Sequence, residues 1–507
     1  MLKEAVAHYH QILEDTEIAA ESLKILNDGL ESNKLIFGGR PLSPYLRPHF
    51  VTESDWSMIS ETSAVIWSTL QKVKDAAVMD DDILVELGLS EIERELVKID
   101  PGYSQVSPTS RLDSFLVGDT YSYVELNGES PAGIAFADSA TAIFETLPVM
   151  QKFSETYNVR GLSGRPHLLE VLINCYTEYL GREFEEKPVI AIVDLKDLPT
   201  IKEFELFRDY FEYHGYNALI CSPDELEFDG NKLYFHNVAI DIVYKRLLVN
   251  EYLPIMAEQP ALLDAYRAGA ICMVNSFRGK LVHKKAVFAV LTNEKYEALF
   301  NETELAAIRA HIPWTRKFRA ESTINNGESI DLVEWTRTNS HKLVLKPNDD
   351  YGGHGIYIGW NSSESEWNDA IAAALADGDY LVQERVKTAK EMFPMVHEDA
   401  LGFTYAEQLV DLDPLLFNGV VGSAFTRLSL NELANVTAGG GMVPTFIISE
   451  KWHEKIDVCC GLYRYFYRHF SIFDRQHHRS SNAKSIRAKG IAASKTGSGK
   501  IFCGIAA

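Results

Sequence analysis

Between residues 186 and 285 the sequence alternates short apolar runs with a helical pattern, an order that few folds accommodate. Apolar runs of strand length stand at Pro188–Asp194, Tyr216–Cys221 and Ile240–Tyr244, and Glu203–Tyr213 has helical spacing between the first two. Strands that are apolar on both faces are typical of a parallel sheet covered by helices. The alternation therefore predicts a β-α-β unit within an α/β subdomain.

The hydrophobic period divides the rest of the chain. Apolar residues recur at helical spacing up to about residue 100, whereas a period of two begins at Ser110. Arg111–Val117 and Tyr121–Asn127 flank Gly118-Asp119, which predicts a β-hairpin. The predicted units are a helical N-terminal region over 1–104, a first segment carrying the hairpin over 105–185, the α/β subdomain over 186–285, a second mixed α+β segment over 286–450 and a partly disordered basic tail over 451–507.

Charge and composition argue against several classes of protein. The chain of 507 residues has 72 acidic and 49 basic side chains and a formal net charge of −23, which argues against nucleic acid or an anionic membrane as partner. It has no apolar run of the roughly 18 residues that a membrane span needs, no apolar N-terminal leader, and no C-x-x-C pair among its six cysteines. These features predict a cytoplasmic enzyme or binding protein and leave its oligomeric state open.

The predicted tail is net basic, whereas the chain as a whole is net acidic. Residues 451–507 carry 11 basic and 3 acidic side chains, with several runs of small residues. We expect this tail to be dispensable for the chemistry of the chain. Binding of the tail to the acidic body or to nucleic acid is the alternative interpretation.

A glycine-rich loop follows an apolar strand that ends in Lys346. The loop contains Gly352, Gly353, His354 and Gly355, and a second strand leaves it. Glycines let backbone N–H groups approach phosphate oxygens closely, and a lysine adds a positive charge. The pattern predicts a flap over nucleotide phosphates, with an ordinary glycine-containing hairpin turn as the alternative.

A second apolar strand ends in charged residues. The run Asp379–Val386 includes Gln383, Glu384 and Val386 at its end. Such a strand end could offer backbone groups to an adenine edge and a carboxylate to a ribose. A strand that simply reaches solvent is the alternative.

The predicted hairpin carries a set of oxygen-bearing side chains. Two-residue spacing places Arg111 and Asp113 on one face of the first strand, and Glu125 and Asn127 on one face of the second. Mg²⁺ prefers oxygen ligands and usually shares them with substrate phosphates. The hairpin is therefore a candidate Mg²⁺ site, and a solvated sheet face is the alternative.

Together these motifs resemble the circularly permuted form of the ATP-grasp superfamily, the form of glutathionylspermidine synthases and their relatives. In ordinary ATP-grasp enzymes the glycine-rich loop precedes the metal carboxylates, whereas here it follows them. Val124–Pro131 resembles the family's Glu-x-Asn-x-acidic-Ser/Thr-Pro signature. Ile190–Tyr244 resembles the α/β subdomain that precedes the ATP-grasp domain in other members, and Ile312–Arg316 resembles a segment of uncharacterised permuted relatives. The resemblance covers about residues 40–448 and implies a mixed α/β and α+β ATP-grasp fold.

The resemblance also implies a role for each matched residue. Mg²⁺ would be held by Asp113, Glu125 and Asn127, and the γ-phosphate and an acyl-phosphate would face Arg111. The other ATP phosphates would contact Lys346, Lys317, Gly352, Gly353, His354 and Gly355. The adenine and ribose would lie at Gln383, Glu384 and Val386. His354 stands where many members carry a lysine, so one phosphate-binding charge is missing near neutral pH.

The implied activity is that of an ADP-forming carboxylate–amine ligase that uses ATP and Mg²⁺ to join a small-molecule or peptide carboxylate to an amine. Candidate substrate contacts are Lys245 and Arg246 at a strand end, and Arg427; equally, these side chains could balance nearby acids. A nucleotide-binding ATP-grasp protein without ligase activity and an ATP-dependent phosphotransferase are the alternative functions.

Overall fold

The computed structural model describes residues 1–350, 352–397, 399–432 and 440–451. The α-helices are α1 Leu2–Ile12, α2 Thr16–Ser32, α3 Glu53–Met79, α4 Asp81–Glu86, α5 Glu91–Lys98, α6 Ile134–Thr146, α7 Pro148–Phe153, α8 Arg165–Leu180, α9 Ile201–Tyr213, α10 Val249–Tyr252, α11 Ala261–Arg267, α12 Lys280–His283, α13 Ala286–Leu291, α14 Glu302–His311, α15 Leu332–Thr338 and α16 Glu364–Asp377.

The strands are β1 Ile36–Phe37, β2 Arg40–Pro41, β3 His49–Thr52, β4 Thr109–Val117, β5 Thr120–Asn127, β6 Tyr157–Gly161, β7 Ile190–Val193, β8 Ala218–Cys221, β9 Leu226–Phe228, β10 Leu233–Phe235, β11 Val238–Ile240, β12 Ile242–Lys245, β13 Cys272–Val274, β14 Thr315–Lys317, β15 Ser322–Asn325, β16 Glu328–Asp331, β17 Leu343–Pro347, β18 Tyr357–Ile358, β19 Tyr380–Glu384, β20 Ala389–Val396, β21 Phe403–Phe417, β22 Val420–Ser429, β23 Gly441–Val443 and β24 Thr445–Glu450.

The predicted hairpin is confirmed as the antiparallel pair β4 and β5. It belongs to an antiparallel sheet in the order β23-β22-β21-β4-β5, and β20 also pairs with β21. Strand β4 pairs with β21 through Arg111 opposite Leu415. Residues from two distant parts of the sequence therefore share one sheet face at the hairpin.

Helix α3 covers the other side of the hairpin. Its buried residues include Ile59, Ile66 and Leu70, which pack in one hydrophobic cluster with Tyr121 and Tyr123 of β5. The Ser63 hydroxyl lies 2.8 Å from the Tyr123 hydroxyl. Because the helix and the hairpin are packed and hydrogen-bonded, α3 fixes the position of the strands that carry Asp113 and Glu125.

The N-terminus of α3 is closed by a capping box. The Thr52 hydroxyl accepts a hydrogen bond of 3.0 Å from the Asp55 backbone N–H, and the Asp55 carboxylate accepts one of 3.1 Å from the Thr52 N–H. Replacing Thr52 with Ala should lower the free energy of unfolding by about 1 kcal/mol, since an N-cap is lost. Urea denaturation measures this change. The control is Ser57→Ala, on the exposed face of the same helix, where we expect no loss because Ala favours helix.

The predicted β-α-β unit is confirmed as a parallel sheet in the order β13-β12-β7-β8, with α9 connecting β7 to β8. All four residues of β7 and all four of β12 are buried, as expected for strands covered on both faces. The carboxyl ends of β7 and β12 are adjacent, because Val193 is in register with Lys245.

A further antiparallel sheet in the order β14-β19-β17-β18 carries the glycine-rich loop between β17 and β18. Helix α16 covers this sheet and buries Trp367 among Leu343, Leu345 and Val382. The prediction that strands flank the loop on both sides is confirmed.

The N-terminal region departs from the prediction of helices alone. Strand β3 pairs in parallel with β24, and β24 pairs with β6, because the apolar side chains of Phe50 and Val51 are buried by partners that local sequence does not reveal. Residues 1–451 form one compact unit, so the boundaries near 104, 185 and 285 stay predictions. The predicted tail lies, apart from Lys451, outside the described residues. Over the described ranges, the helices are too short or too polar to cross a membrane.

Candidate functional site

A cavity of about 640 Å³ opens where the β4–β5 hairpin, the glycine-rich loop, the end of β19 and the carboxyl edge of the parallel sheet meet. It brings together most of the residues singled out from the sequence. Among its lining are Arg111, Asp113, Glu125, Asn127, Arg246, Lys346, Gly352, Gly353, His354, Gln383, Glu384, Val386 and Arg427. Lys245, Lys317 and Gly355 lie outside the lining formed by the described residues.

The hairpin register places Asp113 opposite Glu125 and Arg111 opposite Asn127. The Asp113 carboxylate accepts hydrogen bonds of 2.9 Å from Arg111 Nε and 2.8 Å from Asn127 Nδ2, and lies 2.6 Å from Arg427 Nη2. Burial would raise the pKa of Asp113, but the two guanidinium groups hold it well below its usual range. Asp113 is therefore a stable carboxylate in the cavity wall.

The two hairpin carboxylates, Glu125 and Asp113, differ in how many partners they already have and so in how readily each can bind Mg²⁺. Glu125 has a side chain 19% exposed to the cavity, and its carboxylate lies 3.5 Å from Lys285 Nζ. The two oxygens of Asp113 accept four N–H groups when the 3.4 Å contact from Arg111 Nη2 is included. The oxygen-rich donor set fits Mg²⁺, and Asp113 would join it by exchanging one of these N–H donors for the metal.

Two aspartates that the sequence analysis missed, Asp411 and Asp413 of β21, complete this wall. Their carboxylate oxygens and one of Asp113 lie within 4.8 Å of one another. Arg427 contacts both missed aspartates, through Nη2 to Asp411 and at 3.1 Å from Nε to Asp413. Two guanidinium groups lie against the three acids, and burial raises the pKa values of Asp411 and Asp413. The negative charge of this cluster is therefore largely compensated within the protein. The two-residue spacing that singled out Arg111 and Asp113 also marks Asp411 and Asp413.

Lys346 extends from β17 toward the hairpin. Its ammonium group donates a 3.0 Å hydrogen bond to the backbone carbonyl of Val124, next to Glu125. Burial lowers the pKa of Lys346 to about 8, while the nearby Glu125 carboxylate opposes the shift. A lysine held in this way is charged at neutral pH and faces the cavity.

The glycine-rich loop needs its glycines for conformational reasons. Gly352, Gly353 and Gly355 have φ angles of 76°, 77° and 68°, a left-handed region that residues with a Cβ rarely adopt. The first two line the cavity together with His354. Their backbone N–H groups can therefore approach an anion there.

Three lysines that the sequence analysis missed hold the start of this loop. Lys280 and Lys284 lie 2.6 Å and 2.8 Å from the Asp349 carboxylate. Lys285 donates a 2.5 Å hydrogen bond to the carbonyl of Asp350 and also faces Glu125. The run His283-Lys284-Lys285 was the available signal, but its burial could not be read from the sequence.

Lys317, proposed from the resemblance as a second phosphate ligand, lies elsewhere. Its ammonium group is 3.2 Å from the Asp379 carboxylate, and a Cβ on Gly88 would come within 2.9 Å of it. The side chain thus pairs with Asp379 and lies outside the lining that the described residues form. Lys285 is the lysine that lies beside Glu125.

The end of β19 forms another wall of the cavity. Gln383 is buried and donates a 3.0 Å hydrogen bond to the Thr315 hydroxyl. Asn325 Nδ2 lies 3.5 Å from the Glu384 carboxylate. Arg385 stacks on Trp360, with 4.1 Å from its guanidinium carbon to the ring centroid. These contacts fix the strand end and give the wall a flat, partly aromatic surface.

The two candidate substrate residues at the end of β12 have internal partners. Arg246 Nη1 donates hydrogen bonds of 2.7 Å to the Pro131 carbonyl and 3.1 Å to the Tyr244 hydroxyl. Lys245 Nζ donates a 2.7 Å bond to the Leu247 carbonyl. Arg246 therefore ties the segment after the hairpin to the parallel sheet, and Lys245 stabilises the turn that follows β12.

Comparisons with known proteins bear on the fold. No protein-family model matches the chain. A glutathione synthetase-like effector from Globodera pallida, solved in its apo form, superposes with a TM-score of 0.58 at 15% sequence identity, covering 86% of this chain and 99% of that one. A putative gamma-glutamylcysteine synthetase from Methylobacillus flagellatus KT has a TM-score of 0.35 at 10% identity, covering 76% and 86% of the two chains.

Among sequences, an uncharacterized protein of Mycobacterium leprae (strain TN) is 22% identical over 441 residues, covering 81% of this chain and 73% of that one. The structural likeness to the effector extends over nearly all of that protein. The chain thus shares the mixed α/β fold of that glutathione synthetase-like effector, and the predicted combination of α/β and α+β elements is confirmed.

Proposed function

We propose that the chain is an ATP- and Mg²⁺-dependent carboxylate–amine ligase that forms ADP. The observation that carries this proposal is the meeting, in one cavity, of Glu125, Lys346, the glycine-rich loop and the end of β19. Each of these features separately has an ordinary structural explanation. Together they provide oxygen ligands for a metal ion, a positive charge and backbone N–H groups for phosphates, and a flat wall for a base. A nucleoside triphosphate requires this combination.

Different residues of the cavity contact different parts of the bound ATP. The adenine and ribose lie against Gln383, Glu384 and Val386, whereas Lys346 and the backbone of the glycine-rich loop take the phosphates. Glu125, with Asp113 and Asn127 beside it, would hold Mg²⁺, which would supply positive charge against the phosphates. The chain order of the hairpin and the loop supports a circularly permuted arrangement of this fold.

The substrates are a small-molecule or peptide carboxylate and an amine, in the cytoplasm. The carboxylate attacks the γ-phosphate, so that an acyl-phosphate and ADP form. The amine then attacks the acyl carbon, releasing phosphate and a proton and leaving an amide. The protein positions the reactants and neutralises charge without itself forming a covalent bond. Arg111, close to Asp113, is the residue that faces the transferred phosphoryl group.

Trapping of the acyl-phosphate tests the reaction class. The protein is incubated with Mg²⁺-ATP, hydroxylamine and, one at a time, amino acids and short peptides. A ligase produces ADP and a hydroxamate only when a suitable acid is present, and both are measured by mass spectrometry. ADP formation with a stable phosphorylated product and no hydroxamate would instead indicate a phosphotransferase. Absence of ADP formation throughout the panel would contradict the proposal.

Nucleotide affinity should depend on Lys346. Replacing Lys346 with Met should weaken ATP binding roughly ten- to hundredfold, since a hydrogen bond to a charged group is worth about 1.5–3 kcal/mol. Calorimetric titration with Mg²⁺-ATP measures the change. Lys342→Met is the matched control, because Lys342 precedes the same strand and its ammonium group lies over the Trp335 ring. Equal affinities in the two variants would contradict the role of Lys346.

The same contact predicts a pH dependence. Bound phosphates favour the protonated lysine, and the pKa of Lys346 in the free protein is about 8. The affinity for ATP should therefore fall as the pH rises through about 8. In Lys346→Met this fall should be absent.

A further inference from the structure

The carboxyl edge of the parallel sheet contributes its own wall to the cavity. Asp194 directly follows β7, and Leu198, Thr200 and Leu248 line the same end of the cavity. Ligands of open α/β sheets bind at the carboxyl ends of the strands. The hairpin and the glycine-rich loop, to which the nucleotide phosphates are assigned, form other walls of the same cavity.

Asp194 has a carboxylate oxygen without a protein partner. The residue is 7% exposed, and its Oδ1 accepts a 2.8 Å hydrogen bond from the Leu195 backbone N–H. Within the part of the chain that the structure describes, Oδ2 accepts no hydrogen bond and joins no ion pair. Burying a carboxylate in this state costs free energy unless a ligand compensates it.

The basic side chains at the end of β12 form no ion pair with this carboxylate in the part of the chain that the structure describes. Arg246 bonds to Pro131 and Tyr244, and its guanidinium lies 3.6 Å from the Glu203 carboxylate. Lys245 bonds to a backbone carbonyl. Burial raises the pKa of Asp194 to about 6 and the Glu251 charge adds to the shift, although the Leu195 N–H and the charges of Arg246 and Lys245 oppose it.

We infer that Asp194 binds an ammonium group of the substrate at this end of the cavity. The lining beside Asp194 includes Glu251, whose carboxylate adds negative charge, and Leu198, Pro199 and Leu248, which offer apolar contact to a carbon skeleton. This mixed lining favours an organic cation, whereas Mg²⁺ and Ca²⁺ require a shell of oxygen ligands. The assignment rests on the proposed ligase function. The ammonium belongs either to the attacking amine or to a non-reacting amino group of the acid.

Replacing Asp194 with Asn is the central test. Asn keeps the shape and the acceptor for the Leu195 N–H but removes the charge. The matched control is Asp197→Asn, three residues along the same loop, because Asp197 is exposed and its φ of 60° is one that Asn also adopts. Both variants are compared with the unchanged protein in a binding measurement and in a kinetic measurement.

The binding measurement does not depend on turnover. Thermal melting is followed in the presence of Mg²⁺-ATP and a panel of amino acids, short peptides and diamines, each in its free-amine and its N-acetylated form. At least one free amine should raise Tm and its acetylated form should not, and this difference should vanish in Asp194→Asn but persist in Asp197→Asn. The inference is overturned if the acetylated forms stabilise equally, if Asp194→Asn responds like the control, or if no free amine raises Tm.

The kinetic measurement identifies the source of the ammonium group. In the hydroxamate assay, which needs the acid but no amine, a KM for the acid raised roughly ten- to hundredfold in Asp194→Asn assigns the group to the acid. An unchanged KM for the acid with a similar rise in the KM for the amine assigns it to the amine. No change in either KM overturns the inference. If the unchanged protein forms neither ADP nor hydroxamate, the ligase proposal fails, and melting alone decides whether Asp194 binds an ammonium group.

Discussion

Glu125→Gln should reduce ATP-dependent turnover by roughly a hundred- to thousandfold, the range found when one preorganised electrostatic contact to a transition state is removed. Glutamine keeps the shape of the side chain but loses the charge that would neutralise a metal ion. Glu125 lies opposite Asp113 in the hairpin and faces the cavity. The measurement is the steady-state rate of ADP formation as a function of Mg²⁺ concentration.

The control for this substitution is Asp119→Asn, at the exposed turn of the same hairpin, which should leave the rate unchanged. A second effect separates a change of charge from damage to the fold. Because the Glu125 carboxylate raises the pKa of Lys346, its removal should shift the pH-dependent loss of ATP affinity to lower pH. A Glu125→Gln variant with normal Mg²⁺-dependent turnover would remove Glu125 from the metal site.

Arg427→Met should lower the free energy of unfolding by about 3–5 kcal/mol, the cost of breaking a buried ion pair by removing one partner. Arg427 contacts the carboxylates of Asp113, Asp411 and Asp413, and its own side chain is 12% exposed. Without it, Arg111 is left to neutralise three buried acids. Guanidinium denaturation measures the loss, with Arg160→Met as control, because the Arg160–Glu53 pair is exposed and worth about 0–1 kcal/mol.

The pH dependence of this loss has a definite sign. Burial already raises the pKa values of Asp411 and Asp413 in the folded protein, and Arg427 opposes this shift. Without Arg427 the pKa values of Asp113, Asp411 and Asp413 all rise, so that the folded variant binds more protons than the unfolded chain. Stability then falls as the pH rises, and the difference from the unchanged protein should be larger at pH 8 than at pH 5. Equal midpoints for Arg427→Met and Arg160→Met would show that the cluster does not stabilise the fold.

Local patterns were sufficient for the elements whose partners are close in sequence. The hairpin could be predicted because Gly118 and Asp119 join two alternating strands. The register at the site could not, because an irregularity between Asp113 and Ser114 shifts the pairing so that Asp113 lies opposite Glu125. The parallel sheet could be predicted because apolar runs such as Ile190–Val193 are buried on both faces. In both cases the residues that determine the structure lie within a few tens of positions of one another.

Contacts between residues far apart in the sequence could not be predicted in the same way. Alternation within β21 does not reveal that β4 is its neighbour, so the meeting of Asp113 with Asp411, Asp413 and Arg427 was missed. A lysine on a helix or at a strand end has the same sequence signature whether it is exposed or buried, so that the sequence does not mark Lys285, and Lys317 is implied only by the resemblance. Charge compensation depends on tertiary neighbours and is visible only once these are known.

The sheet that joins β4 to β21 has a consequence for synthesis of the protein on the ribosome. Asp113 and Arg427 are 314 residues apart, and at roughly 5–20 residues per second their meeting is delayed by on the order of 15–60 s after the hairpin is translated. Until then, β4 presents an open edge to other nascent chains. Substitutions in β21 or β22 that slow docking should therefore reduce the yield of folded protein in cells even where the finished molecule is stable.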